Sequence, residues 1–295
     1  MSVAGTQPPS RDAATLARLL DEVPRPDGAE VARRAAGLAV PDDELCTAAI
    51  SVLDLTSLNA TDTPERVRQL ARRAAAPGAG TPPVAAVCVW PDLVGVAREE
   101  LAGSRVKVAS VAGAFPSGRS PLAVRVAEVQ AAVAAGADEI DVVIDRAALA
   151  EGRDLDACHQ IAALREAGDG ATCKVILETG ALADPTAIVR AAWVAMLGGA
   201  DMLKTSTGKD GPGADAASVL LLVEQARAYE QRFGRPVGVK AAGGVRSADD
   251  ATRLLALVRD AASTEWLAPE RLRLGASSLL DALLERLATG ADRYR

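Results

Sequence analysis

Five lysines stand among 28 arginines in a chain of 295 residues. They are Lys107, Lys174, Lys204, Lys209 and Lys240, and each lies in, or just after, an apolar strand-like run. The two cations differ in chemistry. Only the lysine amine loses its proton within reach of neutral pH and attacks a carbonyl. Lys204 and Lys240 are the sharpest pair. On neighbouring strands, each raises the cost of charging the other, so one amine deprotonates more easily. A free lysine, with a pKa near ~10.4, is neutral in about one part in a few thousand at pH 7. Lowering it by about three units, ~4 kcal/mol, makes it a usable nucleophile. That is the requirement for Schiff-base chemistry.

Anion handling has its own residues. Gly208-Lys209 follows "DMLKTS", Gly243-Gly244 follows "VGVK", and Ser277-Ser278 lie in "GASSLL". Barrel phosphate sites are commonly built from loops after strands seven and eight, where backbone N–H groups open a helix. Ordinary tight turns are the competing reading of any one of these segments.

Eight runs rich in Val, Ile, Leu and Ala position these residues: 47–56, 84–90, 105–113, 139–145, 173–179, 201–206, 237–244 and 271–278. Helical patterns lie between them. Ser120, Asp184 and Ser247 read as N-caps, with Pro121 and Pro185 at first helical positions and Gly136 and Gly198-Gly199 past the ends. Eight alternating units with near-continuous apolar strands predict an α/β chain closed into a (β/α)8 TIM barrel, with extra N-terminal helices. The expected division is a helical extension over 1–45, the barrel over 46–290 and a tail over 291–295. Strand parity turns Lys107, Lys174, Lys204 and Lys240 into the lumen, together with Asp141, Asp145 and Glu178. A purely structural salt-bridge network is the alternative, but it is costly to desolvate.

Composition excludes several classes. The net charge is −6 and only seven residues are aromatic, so no basic stacking face for nucleic acid exists. No apolar run reaches the ~18 residues of a membrane span, and the N-terminus has no signal-peptide pattern. Cys46, Cys88, Cys158 and Cys173 have no metal-ligand spacing and read as reduced thiols of a cytoplasmic protein. The single histidine, His159, sits in a helical pattern and cannot supply a set of imidazole ligands.

The ordered segments "LDLTSLN", "EIDVVI", "LKTSTGK", "VKAAGGVRS" and "RLGASSLL" resemble deoxyribose-phosphate aldolase, a class I aldolase family on a TIM barrel. The resemblance runs from about Asp54 to Leu280. It implies reversible cleavage of 2-deoxy-D-ribose 5-phosphate to D-glyceraldehyde 3-phosphate and acetaldehyde, with no cofactor and no metal. By motif it makes Lys204 the Schiff-base nucleophile, Lys240 the amine that perturbs it and Asp141 the acid/base group working with a water. Asp54, Cys88, Thr205, Gly208, Lys209, Gly243, Gly244, Ser277 and Ser278 fall on substrate-binding segments, though Cys88 reads equally as a buried strand cysteine. Two departures stand out: Ala241 replaces the family's proline after Lys240, and "DGPGADAAS" follows Lys209. Tyr294 is a candidate tail residue for proton transfer. The expected assembly is a homo-oligomer, a dimer. The competing functions are another Schiff-base aldolase acting on a related aldose phosphate, or a non-catalytic sugar-phosphate-binding barrel.

Overall fold

The structure, a computed structural model, describes residues 12–37, 44–78, 80–182 and 184–291. Eight strands close into one barrel in sequence order: β1 (Leu53–Thr56), β2 (Ala86–Val89), β3 (Lys107–Ala112), β4 (Glu139–Val143), β5 (Thr172–Ile176), β6 (Met202–Lys204), β7 (Gly238–Ala242) and β8 (Leu272–Ala276). Every neighbouring pair is parallel, including β8 with β1. The expected TIM barrel is therefore present, and the register fixes which side chains share a level of the lumen.

Alternation sends one set of side chains outward. Val87, Val108, Val142, Val175, Leu203 and Val239 join the core between sheet and helices. Fully burying a side chain of this size stabilises by about 1.5–3 kcal/mol, so this face holds the strands in register. The other face is left for the lumen.

The helix punctuation explains how strands are spaced. Asp184 accepts from the backbone N–H of Thr186 at 2.9 Å, Pro185 opens the helix Pro185–Gly198, and Gly199 ends it at φ +104°. Ser247 and Asp250 form a reciprocal capping box on the helix Ala248–Ala261. Ser120 does not cap: Pro121 occupies the N-cap position of the helix Leu122–Ala134, without a side-chain cap bond. The run 47–56 is not one strand either. Its first half belongs to the helix Glu44–Ser51, because a short alanine-rich apolar run has no decisive period.

The N-terminal helices Ala13–Asp21 and Gly28–Ala36 pack on the outer helices Pro185–Gly198 and Ala216–Phe233. Arg34 pairs with Glu224 and Arg232 with Glu22 across these contacts. These two helices clothe the flank of the barrel. Among the described residues, no helix is long and apolar enough to cross a membrane. Tyr294 lies outside the described residues.

Candidate active site

Register brings the ionisable residues together. Asp141 of β4 stands opposite Lys174 of β5, Lys204 opposite Lys240, and Lys240 opposite Arg273. The Nζ atoms of Lys204 and Lys240 each donate to Asp141 Oδ2 at 2.8 Å. The two amines are thus no more than twice that distance apart. Lys174 Nζ lies 2.8 Å from Asp141 Oδ1 and 2.7 Å from Glu139 Oε2. Arg273 reaches Glu139 Oε1 at 2.7 Å and Asp54 Oδ1 at 2.6 Å. Lys240 Nζ returns to Asp54 Oδ2 at 2.5 Å. The result is a closed ring of alternating sign: Asp141, Lys174, Glu139, Arg273, Asp54, Lys240 and back to Asp141. Lys204 hangs from this ring by one bond.

The ring decides which amine holds its proton less tightly. Its three carboxylates match three cations, and Lys204 is the fourth cation. Burial works against charge on Lys204 and draws its proton affinity below the lysine norm, with Lys240 adding to the effect and Asp141 opposing it. Lys240 suffers the same burial, but the carboxylates of Asp141 and Asp54 outweigh it and raise its affinity. Lys174 is raised too, since Asp141, Glu139 and Asp54 overcome its desolvation. Burial alone would raise Asp54 and Asp141, yet the surrounding cations hold both below the ordinary carboxylate range. One lysine therefore has two carboxylates and keeps its proton; the other shares one and gives its proton up more readily.

Above the ring, a cavity of about 240 Å³ opens at the C-terminal ends of the strands. Lys204 and Lys240 form its base, and Gly208, Lys209, Gly243, Gly244, Ser277 and Ser278 line its mouth. Gly243 and Gly244 have φ of +75° and +91°. Gly275 leaves room for the Lys240 side chain, since a Cβ there would stand 2.9 Å from its Cε. Ser277 and Ser278 precede the helix Leu279–Ala291, whose first N–H groups favour an anion. Lys209 Nζ spans the mouth to donate to the carbonyl of Leu58 at 2.6 Å. A larger open groove of about 700 Å³ lies on the flank beside Arg153 and His159. It contains no lysine and is not where the amines converge.

Other expected residues land differently. Lys107 is exposed at the first position of β3 and does not enter the lumen, because parity gives the face of a residue but not its depth. Asp145 lies beyond the end of β4 and caps the helix Arg146–Ala150, accepting from Ala148 N–H at 2.9 Å. Thr205 is fully buried, and its hydroxyl bonds the backbone of Ala242 in both directions, tying β6 to β7 away from the cavity wall. Glu178 is buried at the barrel mouth with φ +57°, its carboxylate accepting from Thr207 N–H. Cys88 is buried in the lumen, where desolvation pushes its thiol up, so it stays protonated. Glu139 and Arg273 were not anticipated. The same parity, applied to "EIDVV" and "RLRLGA", points both inward.

Comparison with known proteins bears on the family and the fold. The family profile described as DeoC/LacD family aldolase matches residues 48–285. A Caenorhabditis elegans protein named "Putative deoxyribose-phosphate aldolase" is 40% identical over 243 residues, covering 81% of this chain and 80% of that protein. The solved deoxyribose phosphate aldolase of Aeropyrum pernix, described as a tetramer, is 28% identical with a TM-score of 0.67, covering 90% of this chain and 99% of its own. A Coccidioides immitis structure with the same qualified name as the worm protein is 29% identical with a TM-score of 0.71, covering 90% and 98%.

Proposed function

The chain belongs to the DeoC/LacD family of aldolases, and from that premise we propose that it reversibly cleaves 2-deoxy-D-ribose 5-phosphate through a Schiff base on Lys204. The products are D-glyceraldehyde 3-phosphate and acetaldehyde. The observation that supports this most is the placement of Lys204, a cation beyond the three that the ring's carboxylates match, at the base of a cavity with a glycine-lined, serine-edged mouth.

The neutral Nζ adds to the C1 aldehyde carbon, and the carbinolamine loses water to give an iminium. The iminium accepts the electron pair of the C2–C3 bond as the C3 hydroxyl gives up its proton and becomes the departing aldehyde. The resulting enamine is protonated at C2, and water releases acetaldehyde and the free amine. Asp141, bonded to the side chains of Lys174, Lys204 and Lys240, relays protons between these amines, a water and the substrate oxygens. Lys240 keeps its positive charge beside the nucleophile. Lys209, the paired glycines and the two serines bind the phosphate, and this remote binding orients the carbon chain. The assembly we propose is a homo-oligomer, as the tetrameric Aeropyrum relative supports, in the cytoplasm, where the buried thiols Cys88 and Cys173 stay reduced.

Incubation with substrate and sodium borohydride should add the mass of a reduced two-carbon imine at Lys204, and Lys204→Ala should lose both the adduct and essentially all cleavage. Wild-type protein that cleaves the sugar phosphate without trapping would reject the mechanism. A panel of other aldose phosphates separates this substrate from relatives.

A further inference from the structure

The charged ring has a roof and a floor. Lys204 and Lys240 line the cavity, whereas Arg273 and Glu139 do not. Glu139 opens β4 and borders a groove at the N-terminal end of the barrel. Arg273 Nε donates to the carbonyl of Pro269, ahead of β8, at 2.5 Å. Both side chains are buried, at 3% and 5% exposure, and neither reaches the space a substrate would fill. As a mere plug, a buried ion pair is a poor choice: apolar residues of similar volume fill such a site at lower desolvation cost.

What the pair does have is a connection to the roof from both sides. Glu139 reaches Asp141 through Lys174, and Arg273 reaches Lys240 through Asp54. We infer that Arg273 and Glu139 are positioning residues that hold the charge balance of the lumen, so that Lys204 is the cation left over from its carboxylate pairs. This rests on Lys204 being the Schiff-base lysine proposed above. The groups facing Lys204 are Asp141 from β4, Lys240 from β7, the Cys88 thiol from β2 and the uncharged Phe115 ring from the segment after β3, 5.9 Å from its Nζ. Asp54 of β1, Lys174 of β5 and Arg273 of β8 stand one step behind, and Glu178 lies above, engaged by Thr207.

The balance argument gives opposite signs for the two residues. Without the Arg273 cation, three carboxylates face Lys174 and Lys240, and Lys204 is driven to hold its proton. Without the Glu139 charge, two carboxylates face three cations, and Lys204 gives its proton up more easily. A residue that merely supports the floor has no such sign.

The test is the pH dependence of borohydride trapping of acetaldehyde at Lys204, followed by intact mass on the full chain. Glu139→Gln should move the acid limb of trapping to lower pH by about one unit, and Arg273→Met to higher pH by about one unit. The double variant should return near the wild-type limb, and Arg273→Lys, which keeps the charge, should remain there. Limbs that stay put, or that move the same way, while trapping persists overturn the inference and leave the Schiff base standing. Wild-type protein that traps nothing overturns the Schiff base itself. Should Arg273→Met fail to fold, the isosteric Glu139→Gln decides by its direction alone.

Discussion

The inner wall of the barrel has two unlike halves. On β2 and β3 it is small and apolar: Ala86, Cys88, Ala109 and Val111 form their own cluster with Leu58, joined by Trp90 and Phe115. From β4 around to β1 it carries Glu139, Asp141, Lys174, Lys204, Lys240, Arg273 and Asp54. The first half packs as a small apolar cluster and offers no compensation to a charge. The second half is a self-neutralising lattice with one amine too many. Lys204 sits where they meet, bonded to Asp141 on one side and 5.9 Å from the Phe115 ring on the other. On the proposed mechanism, the difference teaches that the reactive amine needs both: desolvation from the apolar half, and a partner count that leaves it the least compensated lysine of the ring.

The strongest way to break that contrast is to remove the shared carboxylate. Asp141→Asn should lower turnover by about 10²–10⁴-fold and cost about 3–5 kcal/mol of stability, because three ammonium groups lose a common partner. The retro-aldol assay and urea titration measure the two effects. The sign with pH follows from the depressed Asp141 and Asp54. Their contribution is fully present above the unfolded value of about 3.9 and is lost as pH falls below it toward the folded values. Stability of the variant should therefore depend less on pH in that acid range.

A milder intervention carries charge across the boundary. Cys88→Asp puts a carboxylate into the apolar half, beside Lys204. The acid limb of the rate profile should move up by about one unit, whereas Cys88→Ser should leave it in place. The smallest effect tests the space rather than the charge. Ala109→Val should raise KM by about threefold, with no movement of the pH limb, and cost about 1–3 kcal/mol from overpacking. Steady-state kinetics at several pH values distinguish the two kinds of change.

Much of this division was legible in the sequence, and the exceptions have physical reasons. Alternation places Lys174, Lys204, Lys240 and Asp141 inside because a parallel strand has two faces and the apolar residues mark one of them. It says nothing of where a strand begins, which is why Lys107 hangs outside the floor and Asp145 becomes a cap. Glu139 and Arg273 obey the same alternation, yet their meaning appears only when β4 and β8, distant in the chain, face each other across the lumen. The helix in 44–51 hid because alanine-rich segments suit either conformation, and packing decided it. The glycines and serines at the cavity mouth were legible by position, while the Lys209 clasp onto Leu58 depends on a contact between residues 151 positions apart.

The order of the ring along the chain bears on how the barrel comes together. Strands β1 to β4 contribute Asp54, Glu139 and Asp141, all acids; strands β5 to β8 contribute Lys174, Lys204, Lys240 and Arg273, all bases. A fragment ending after β4 would have to exclude water from three like charges, and its complement from four, so neither half closes well alone. Each is instead the counterion of the other, and assembly is pushed toward a single cooperative event in which the two arcs meet.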